Sequence, residues 1–352
     1  MRAEDDSLVL FAGNAPRFYV SRGADFGSFR RDCSRPVLES ADRRTPESYE
    51  NWEWISAVYR EGSRWHAFVS NEFHDTFAQT CLPGDPSPQN PCWYNSATHA
   101  VSTDGARTFV KPRAPAHVIA PPPHVWVPPQ PGATPNAGYA FLEGYFSPYS
   151  IARKDDGFYY AIIGLIATQS TPPIGESCLI RTDRLDDPSS WRAWDGKGFN
   201  DRMTSPYVTG NPAPACKPHP GQPGGGIITF NTYLDRYIHI DKNLQTEGGK
   251  PVCNLHFWLS ADLFHWSPAQ VIIDVRDDSW CPYDPLNPGL LEPVPVMYPT
   301  MIDHADTTVN FERTGRTPYL YYVRFNRGTR NDPLYWLDRD LVRVLMTFTR
   351  QD

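Results

Sequence analysis

The sequence predicts an all-β protein: a five-bladed β-propeller with four-stranded antiparallel blades and long proline-rich loops. Three observations predict it. A turn motif recurs at a constant interval, a hairpin pattern precedes the copies, and no amphipathic helical pattern is sustained anywhere in the 352 residues. We therefore interpret residues 1–352 as a single domain built from one repeated supersecondary unit.

The turn motif is clearest in VSTDGARTFV, residues 101–110. Its aspartate recurs at intervals of 79 residues, at Asp25, Asp104, Asp183 and Asp262. We expect each carboxylate to accept hydrogen bonds from backbone N–H groups of its own turn, which is a structural role. A further step of 78 residues reaches Asp340, a looser match.

Hairpin patterns precede the copies of the Asp turn motif. In each hairpin, Gly, Asp or Asn supplies the turn and alternating apolar residues form the strand. The hairpins lie at 60–70, 154–164, 232–241 and 313–325. Another short apolar run precedes each hairpin, so one unit contains four strands, as a propeller blade does. Strands near residues 8–29 would start a fifth blade. We expect the C-terminal run LVRVLMTFTR to supply the innermost strand of that blade and close the ring.

Charge and hydropathy exclude two classes of partner. The formal net charge of −7 argues against nucleic acid, because phosphate recognition needs a basic stripe. No segment is long and apolar enough to span a bilayer, so we expect no membrane insertion. The proline-rich stretches at 81–92 and 114–138 are predicted to be loops between strands. We expect a monomer.

The seven cysteines bear on the compartment. Cys81 and Cys92 bracket a proline-rich loop, and we predict that they form a disulfide, which fits a secreted or extracytoplasmic protein. The alternative is that all seven are reduced and buried. The first residues, MRAEDDSLVLF, carry charges and no apolar core, so we do not interpret them as a signal peptide. We expect no cofactor and no zinc site. A structural Ca²⁺ would suit the channel, but no run of ligands indicates one.

Candidate site residues follow from propeller geometry, because inner strands line a central channel. Polar side chains of several blades meet where inner strands begin and second strands end. Blade one supplies Trp52, Glu53, Trp54, Asn71, Glu72, His74, Trp93 and Asn95, and blade two supplies Glu143 and Tyr145. Blade four supplies Asp284, Glu292, Tyr298, Arg324 and Asn326, whereas Asp303 falls at the far end of its strand.

Carboxylates mixed with aromatic rings indicate sugar chemistry. Glycoside hydrolysis uses two carboxyl groups flanking the bond, one of them protonated. Tryptophans around a carboxyl raise its pKa by desolvation, which suits an acid catalyst, and their faces stack on sugar rings. Each residue also has a structural interpretation. Glu53 would be an exposed edge charge, Glu143 and Glu292 solvated loop charges, and the tryptophans wedges between blades.

The chain resembles the five-bladed β-propeller glycoside hydrolases, the group of arabinanases, β-xylosidases and fructan hydrolases. The resemblance lies in VSTDGARTF, DDGFYYAI and SADLFHW, and the Asp turn is similar to that of sialidases. It implies an acid, a base or nucleophile, and a third carboxylate. Carried over by position, these are Glu72, Glu53 and Glu143, with Glu292 as a substitute. The N-terminal inner-strand aspartate of arabinanase-like members and the sialidase arginine triad are not found, so the specific family stays open.

We therefore predict a glycoside hydrolase acting on a polysaccharide or oligosaccharide, with furanoside-containing glycans among the candidates. Two alternatives stay open. A non-catalytic carbohydrate-binding propeller would keep aromatic rings at the opening of the channel but would need no close carboxyl pair. A protein-interaction propeller would present an exposed apolar face without a polar pocket. The assigned pair is wrong if Glu53 and Glu72 point into different compartments.

Overall fold

The computed structural model describes most of the chain. The described residues are 1–41, 45–75, 92–130, 141–167, 170, 174–210, 215–219, 221–247, 250–273, 296–326 and 338–350. Within them the chain forms 23 strands and one four-residue α-helix, α1 (Pro206–Thr209), which confirms the all-β class. In this part of the chain no helix has the length and hydropathy needed to cross a bilayer.

The N-terminal residues form two small sheets. Strands β1 (Leu8–Leu10), β3 (Ser21–Gly23) and β4 (Arg30–Arg31) make a three-stranded antiparallel sheet. Strands β2 (Arg17–Phe18) and β5 (Leu38–Glu39) pair separately. We call these strands together the N-terminal unit.

The next ten strands form one continuous sheet. Its first unit is β6 (Trp52–Glu61), β7 (Arg64–His74), β8 (Cys92–Ser102) and β9 (Val118–Ala120), all antiparallel. Its second unit is β10 (Phe141–Phe146), β11 (Ala152–Arg153), β12 (Tyr159–Ala167), β13 (Ile174–Thr182), β14 (Arg192–Trp194) and β15 (Phe199–Asp201). The strand β9 lies within a segment that the sequence predicts as loop.

The two units are joined because β10 pairs with β12 antiparallel and with β8 in parallel. Gly144 permits this approach. Its φ is +112°, and a Cβ atom there would lie 2.1 Å from the carbonyl oxygen of Asn95. A side chain at residue 144 would therefore push the two strands apart.

The remaining strands form the third unit and the fourth unit. The third contains β16 (Ile227–Asn231), β17 (Arg236–Glu247), β18 (Lys250–Ser260) and β19 (Gln270–Ile273). The fourth contains β20 (Val296–Ile302), β22 (Tyr319–Phe325) and β23 (Arg339–Leu345). Between them in sequence, β21 (Arg313–Thr314) pairs in parallel with β16.

The C-terminal run does not take the predicted place. It forms β23, which pairs antiparallel with β22 as the third strand of the fourth unit. Backbone N–H groups of Met346 and Phe348 extend that pairing, so the run stays beside the strand that precedes it in the chain. Asp340 lies inside β23, opposite Arg324, and its match to the turn series is therefore coincidental.

Hydrophobic clusters connect successive units. One joins the N-terminal unit to β6 and β7, and a second joins the first unit to the second. Two further clusters join the second unit to the third and the third to the fourth. The fourth unit contacts the N-terminal unit through His304, whose ring stacks on Phe26 with centroids 3.8 Å apart. The units thus contact one another in cyclic order.

Three of the four repeated aspartates hold their turns as predicted. Asp25, Asp104 and Asp262 each accept backbone N–H groups at 2.8–3.0 Å. The prediction is wrong for Asp183, because the turn after β13 is longer and Asp187 accepts the N–H of Ser189 instead, at 2.9 Å.

Cysteines form disulfides, so the alternative that all seven are reduced is wrong. Cys178 on β13 is bonded to Cys216, a pairing that the sequence analysis missed. Cys92 is also disulfide-bonded, and Cys81, its predicted partner, lies outside the described residues. Cys33 is a free, exposed thiol.

Candidate active site

Strand register decides which predicted residues meet. Glu72 on β7 lies opposite Trp52 on β6 and opposite Asn95 on β8. Side chains directly opposite one another in a sheet share a face, so these three project together. Glu53 lies opposite Asn71, and both project to the other face.

Aromatic rings surround Glu72 on its face of the sheet. The His74 ring centroid lies 5.4 Å from that of Trp93 and 6.4 Å from that of Trp52. Trp93 in turn contacts Phe146 of β10, at 5.6 Å. The Trp93 indole N–H donates to Asn95 Oδ1 at 3.2 Å, which fixes the amide beside the carboxyl. We call this group the aromatic mouth.

The Glu72 carboxyl is poorly solvated. Its side chain is 14% exposed, and its Oε2 lies 3.3 Å from Nε2 of His74. Desolvation by burial raises the pKa of Glu72, and the hydrogen bond and charge of His74 offset part of this increase. A carboxyl in these surroundings holds its proton to higher pH than a solvated glutamate does, which suits a general acid.

Two tyrosines bring other units to the same place. Tyr149, between β10 and β11, lies against Tyr298 of β20, with ring centroids 5.9 Å apart. Desolvation raises the pKa of Tyr149, and Tyr298, Asp241 and Glu72 raise it further. Tyr149 is 42% exposed, so solvent screens part of these effects. Burial and Glu72 likewise raise the pKa of Tyr298, and Arg339 opposes this.

Asp241 is thus a second carboxylate whose charge acts on Tyr149, and it is not among the residues predicted from the sequence. It lies on β17, the second strand of the third unit, as Glu72 lies on the second strand of the first unit. Gly224 packs against it, and Gly226 packs against the residue before it. A Cβ on Gly226 would lie 2.3 Å from the carbonyl oxygen of Ile240, and one on Gly224 would lie 3.2 Å from Asp241 Oδ2. The signals in the sequence were the strand-end position in YIHID and the preceding GGG.

Glu53 occupies a different compartment from Glu72, which overturns the predicted pair. It is 1% exposed, and both of its carboxylate oxygens lie 2.7 Å from Nζ of Lys111. Burial raises the pKa of Glu53 to about 7, although Lys111 acts in the opposite direction. The expectation of an exposed edge charge is also wrong, because the N-terminal unit covers this face. Ser40 Oγ accepts the Glu53 N–H at 3.0 Å.

Glu143 also projects away from the aromatic mouth. Its neighbour in the parallel ladder is Tyr94, whereas the mouth residues of β8 are Trp93 and Asn95. Glu143 is 2% exposed, and its Oε2 lies 3.3 Å from His124 Nε2. The structure therefore does not bring Glu143 to Glu72, and it is not a solvated loop charge either.

Other predicted residues have structural contacts. Tyr145 is buried, and its hydroxyl accepts the N–H of Cys216 at 3.0 Å. Asn71 accepts the N–H of Asn51 at 2.6 Å and donates to Ser96. Trp54 contacts Trp52, and its indole N–H donates to Asn14 Oδ1 at 2.8 Å.

The fourth unit contributes Tyr298 alone among its described candidates. Arg324 is paired with Asp340 at 3.3 Å, and the Asn326 amide donates to Asp338 at 3.1 Å, both at exposed positions. Asp303 accepts the N–H of Gly315, in keeping with its structural assignment. Asp284 and Glu292 lie outside the described residues. Among the residues that are described, no group of three or more His, Cys, Asp or Glu side chains is arranged to hold a metal ion.

Comparison with known proteins gives structural matches only. No family model and no curated protein matches the chain. An endo-arabinase from Bacteroides thetaiotaomicron matches with 12% identity and a TM-score of 0.46, over 99% of this chain and 92% of its own. A xylan β-1,4-xylosidase from Bacillus halodurans matches with 9% identity and a TM-score of 0.47, over 97% and 51%. A GH32 β-fructofuranosidase from Bombyx mori matches with 11% identity and a TM-score of 0.46, over 94% and 53%.

These are the kinds of enzyme that the sequence motifs resemble. The chain spans almost the whole arabinase but only about half of the xylosidase and the fructofuranosidase. At identities of 9–12% and TM-scores below 0.5, the likeness carries no argument about chemistry.

Proposed function

We propose that the protein is a glycoside hydrolase whose sugar-binding site is the aromatic mouth around Glu72. One observation carries the proposal. In the described part of the chain, three aromatic side chains are more than a third exposed: Trp52 at 43%, Tyr149 at 42% and Tyr298 at 42%. Trp52 lies opposite Glu72 in the sheet, and the charge of Glu72 acts on both tyrosines. Exposed rings around a carboxyl whose pKa is raised suit the binding of a sugar and the protonation of its glycosidic oxygen.

Glu72 acts as the general acid in this proposal. It donates its proton to the oxygen of the glycosidic bond as the bond from that oxygen to the anomeric carbon breaks. Asp241 supplies the second carboxylate, which activates water or attacks the anomeric carbon. Glu72 and Asp241 lie on different units, and the charges of both act on Tyr149, so we expect a sugar bound on Tyr149 to be flanked by two carboxyl groups.

Carbohydrate binding without catalysis accounts for less of the site. It explains the exposed rings, but a lectin gains nothing from a carboxyl whose solvation has been removed. Desolvating an ionisable group disfavours the folded state, and such groups are concentrated where chemistry uses them. A protein-interaction surface is also disfavoured, because the exposed rings enclose polar side chains.

The architecture that we propose is a single five-bladed propeller. The cyclic order of contacts between the units supports it, because a ring of blades brings the first and last units together. We further propose secretion and a glycan substrate. The Cys178–Cys216 disulfide supports an oxidising compartment.

The test is release of reducing sugar from plant, fungal and bacterial polysaccharides. It compares the wild type with Glu72→Gln and Asp241→Asn, and Glu47→Gln on an exposed turn is the matched control. We expect both site variants to lose at least about 100-fold in rate and the control to keep wild-type activity. Circular dichroism and thermal unfolding confirm that each variant is folded.

Each other result has a defined meaning. Activity that survives Glu72→Gln in full overturns the proposed acid. Activity lost in Glu72→Gln but kept in Asp241→Asn overturns the second assignment alone. If no polysaccharide is cleaved but one binds, and binding is lost in Trp52→Ala, the protein is a lectin and the hydrolase proposal is wrong.

A further inference from the structure

A second polar pocket lies far from the aromatic mouth. It is a depression of about 190 Å³, and its lining residues are Phe158, Arg181, Thr182, Asp183, Arg184, Ser190, Arg192 and Phe199. Strand register fixes its position. On β12 and β13 the mouth-side pair is Ala167 and Ile174, whereas Tyr159 and Thr182 pair at the opposite end. Eight residues of strand separate the two ends, which is roughly 26 Å.

Arg181 is held rigidly in this pocket. Its guanidinium carbon lies 4.1 Å from the ring centroid of Phe158 and 4.3 Å from that of Phe199, so the two rings sandwich the cation. Its Nη1 also donates to the hydroxyl of Tyr160 at 3.3 Å. Cation–π contacts on both faces orient the planar guanidinium and leave its N–H edge to donate hydrogen bonds.

Within the described structure no carboxylate lies within 4 Å of the Arg181 guanidinium. Asp183, the carboxylate of the lining, lies 3.8 Å from Arg184 instead, and Asp156 is linked to Arg181 only through the Tyr160 hydroxyl. The other arginines of the pocket are committed. Arg184 is paired with Asp187 at 2.8 Å, and Arg192 donates to the carbonyl oxygens of Ser189 and Trp191 at 2.8 and 2.9 Å. Arg181 has five N–H donors and one protein acceptor, so four donors are available to a ligand.

We propose that this pocket binds the carboxylate of an acidic sugar, a hexuronate. The guanidinium fork matches a planar carboxylate with two parallel N–H···O bonds. The depression accommodates one sugar ring beside that contact. The pocket and the aromatic mouth lie at opposite ends of the strands. An acidic glycan held in the pocket is therefore held at a second place, away from the mouth. The proposal goes beyond hydrolysis and does not depend on it.

The experiment titrates the Glu72→Gln protein, which removes catalysis from the measurement. The probes are D-glucuronate and D-galacturonate, their neutral counterparts glucose and galactose, and sodium sulfate at equal ionic strength. Shifts of the arginine Nε–H signals in NMR spectra report binding. We expect uronate to shift the Arg181 signal with a millimolar Kd, and the neutral sugars to leave it unchanged.

Variants assign the site. Arg181→Gln is expected to weaken uronate binding at least tenfold, whereas Arg17→Gln, which removes an exposed guanidinium elsewhere, leaves it unchanged. Arg181→Lys keeps the charge without the fork and should also weaken binding, which decides the case if Arg181→Gln does not fold. The proposal is overturned if Arg181→Gln binds uronate as tightly as the parent protein does. It is also overturned if glucose shifts the Arg181 signal as much as uronate does, or if sulfate binds and uronate does not. Loss of hydrolysis in other assays has no bearing on it.

Discussion

Glu53 and Glu72 are two glutamates on neighbouring strands of one unit, and their surroundings are opposite. Glu53 faces the N-terminal unit, where Lys111 contacts both of its oxygens at 2.7 Å. Glu72 faces the aromatic mouth, where His74 at 3.3 Å is its partner. Burial raises the pKa of both carboxyls. The comparison shows that a perturbed pKa alone does not identify a catalytic group. What distinguishes Glu72 is the exposed aromatic surface around it.

The largest expected effect tests the structural role of Glu53. Lys111→Met should lower the free energy of unfolding by about 3–5 kcal/mol, because it leaves a buried carboxyl without its cation. Urea denaturation at pH 7 measures this change. The double variant Lys111→Met/Glu53→Leu should recover much of the loss. Activity per folded molecule should stay at the wild-type level, and its loss without loss of stability would return Glu53 to the active site.

Buried histidines extend the comparison to bases, because His99 lies against another histidine where His74 lies against a carboxyl. His99 is 3% exposed, stacks on His66, and has its pKa lowered to about 3, mainly by desolvation. Its contribution to stability is present above the unfolded-state pKa of 6.5 and is lost as pH falls toward 3. We expect a loss of about 3 kcal/mol between pH 6.5 and 4. His99→Gln should reduce this dependence, and an unchanged slope in urea titrations would contradict the assignment.

Trp52 tests the mouth face of the same strand. Because Trp52 is 43% exposed beside Glu72, Trp52→Ala should remove a stacking surface and raise KM about tenfold, with a smaller change in kcat. Tyr19→Ala, in the N-terminal unit, is the aromatic control. Steady-state kinetics on the cleaved polysaccharide give the measurement. An unchanged KM would place the sugar elsewhere.

The smallest effect concerns the partner of Glu72. A general acid must be protonated, so activity falls as pH rises through its pKa. His74 lowers the pKa of Glu72, hence His74→Phe should raise it and move the alkaline limb of kcat/KM to higher pH by up to about one unit. His124→Phe, beside Glu143, is the control and should leave the limb in place. A shift to lower pH would show that Glu72 is not the titrating acid.

Repetition made much of the fold predictable. The 79-residue interval identified turns that Asp25, Asp104 and Asp262 do hold, because a local carboxylate-to-backbone contact is encoded within a few residues. The pairing of the C-terminal run was not predictable in this way. Its apolar pattern suits any sheet edge, and only tertiary packing chooses between β22 and the N-terminal unit.

The site was predictable in part. The structure brings Glu72, His74, Trp93 and Asn95 together as predicted, because they pair across the ends of two neighbouring strands. Glu53 and Glu143 were assigned to the wrong face of the sheet, because adjacent residues on a strand project to opposite faces. The strand register decides which face each residue takes, and the sequence of one strand alone does not determine the register. Asp241 was not predicted because the apolar pattern YIHID ends at it, whereas β17 continues to Glu247.

The parallel ladder between β8 and β10 has a consequence for how the molecule comes apart. A run of backbone hydrogen bonds joins the first two units there. The N-terminal and fourth units meet through side chains such as His304 on Phe26, and the Arg2 N–H donates to the carbonyl oxygen of Val309 at 2.8 Å. In hydrogen–deuterium exchange, amides of β10 should be released only with global unfolding, and those flanking Phe26 much earlier. We therefore expect partial opening under denaturant or force to begin between the N-terminal and fourth units. The paired strands β8 and β10, which carry Trp93 and Phe146, stay assembled.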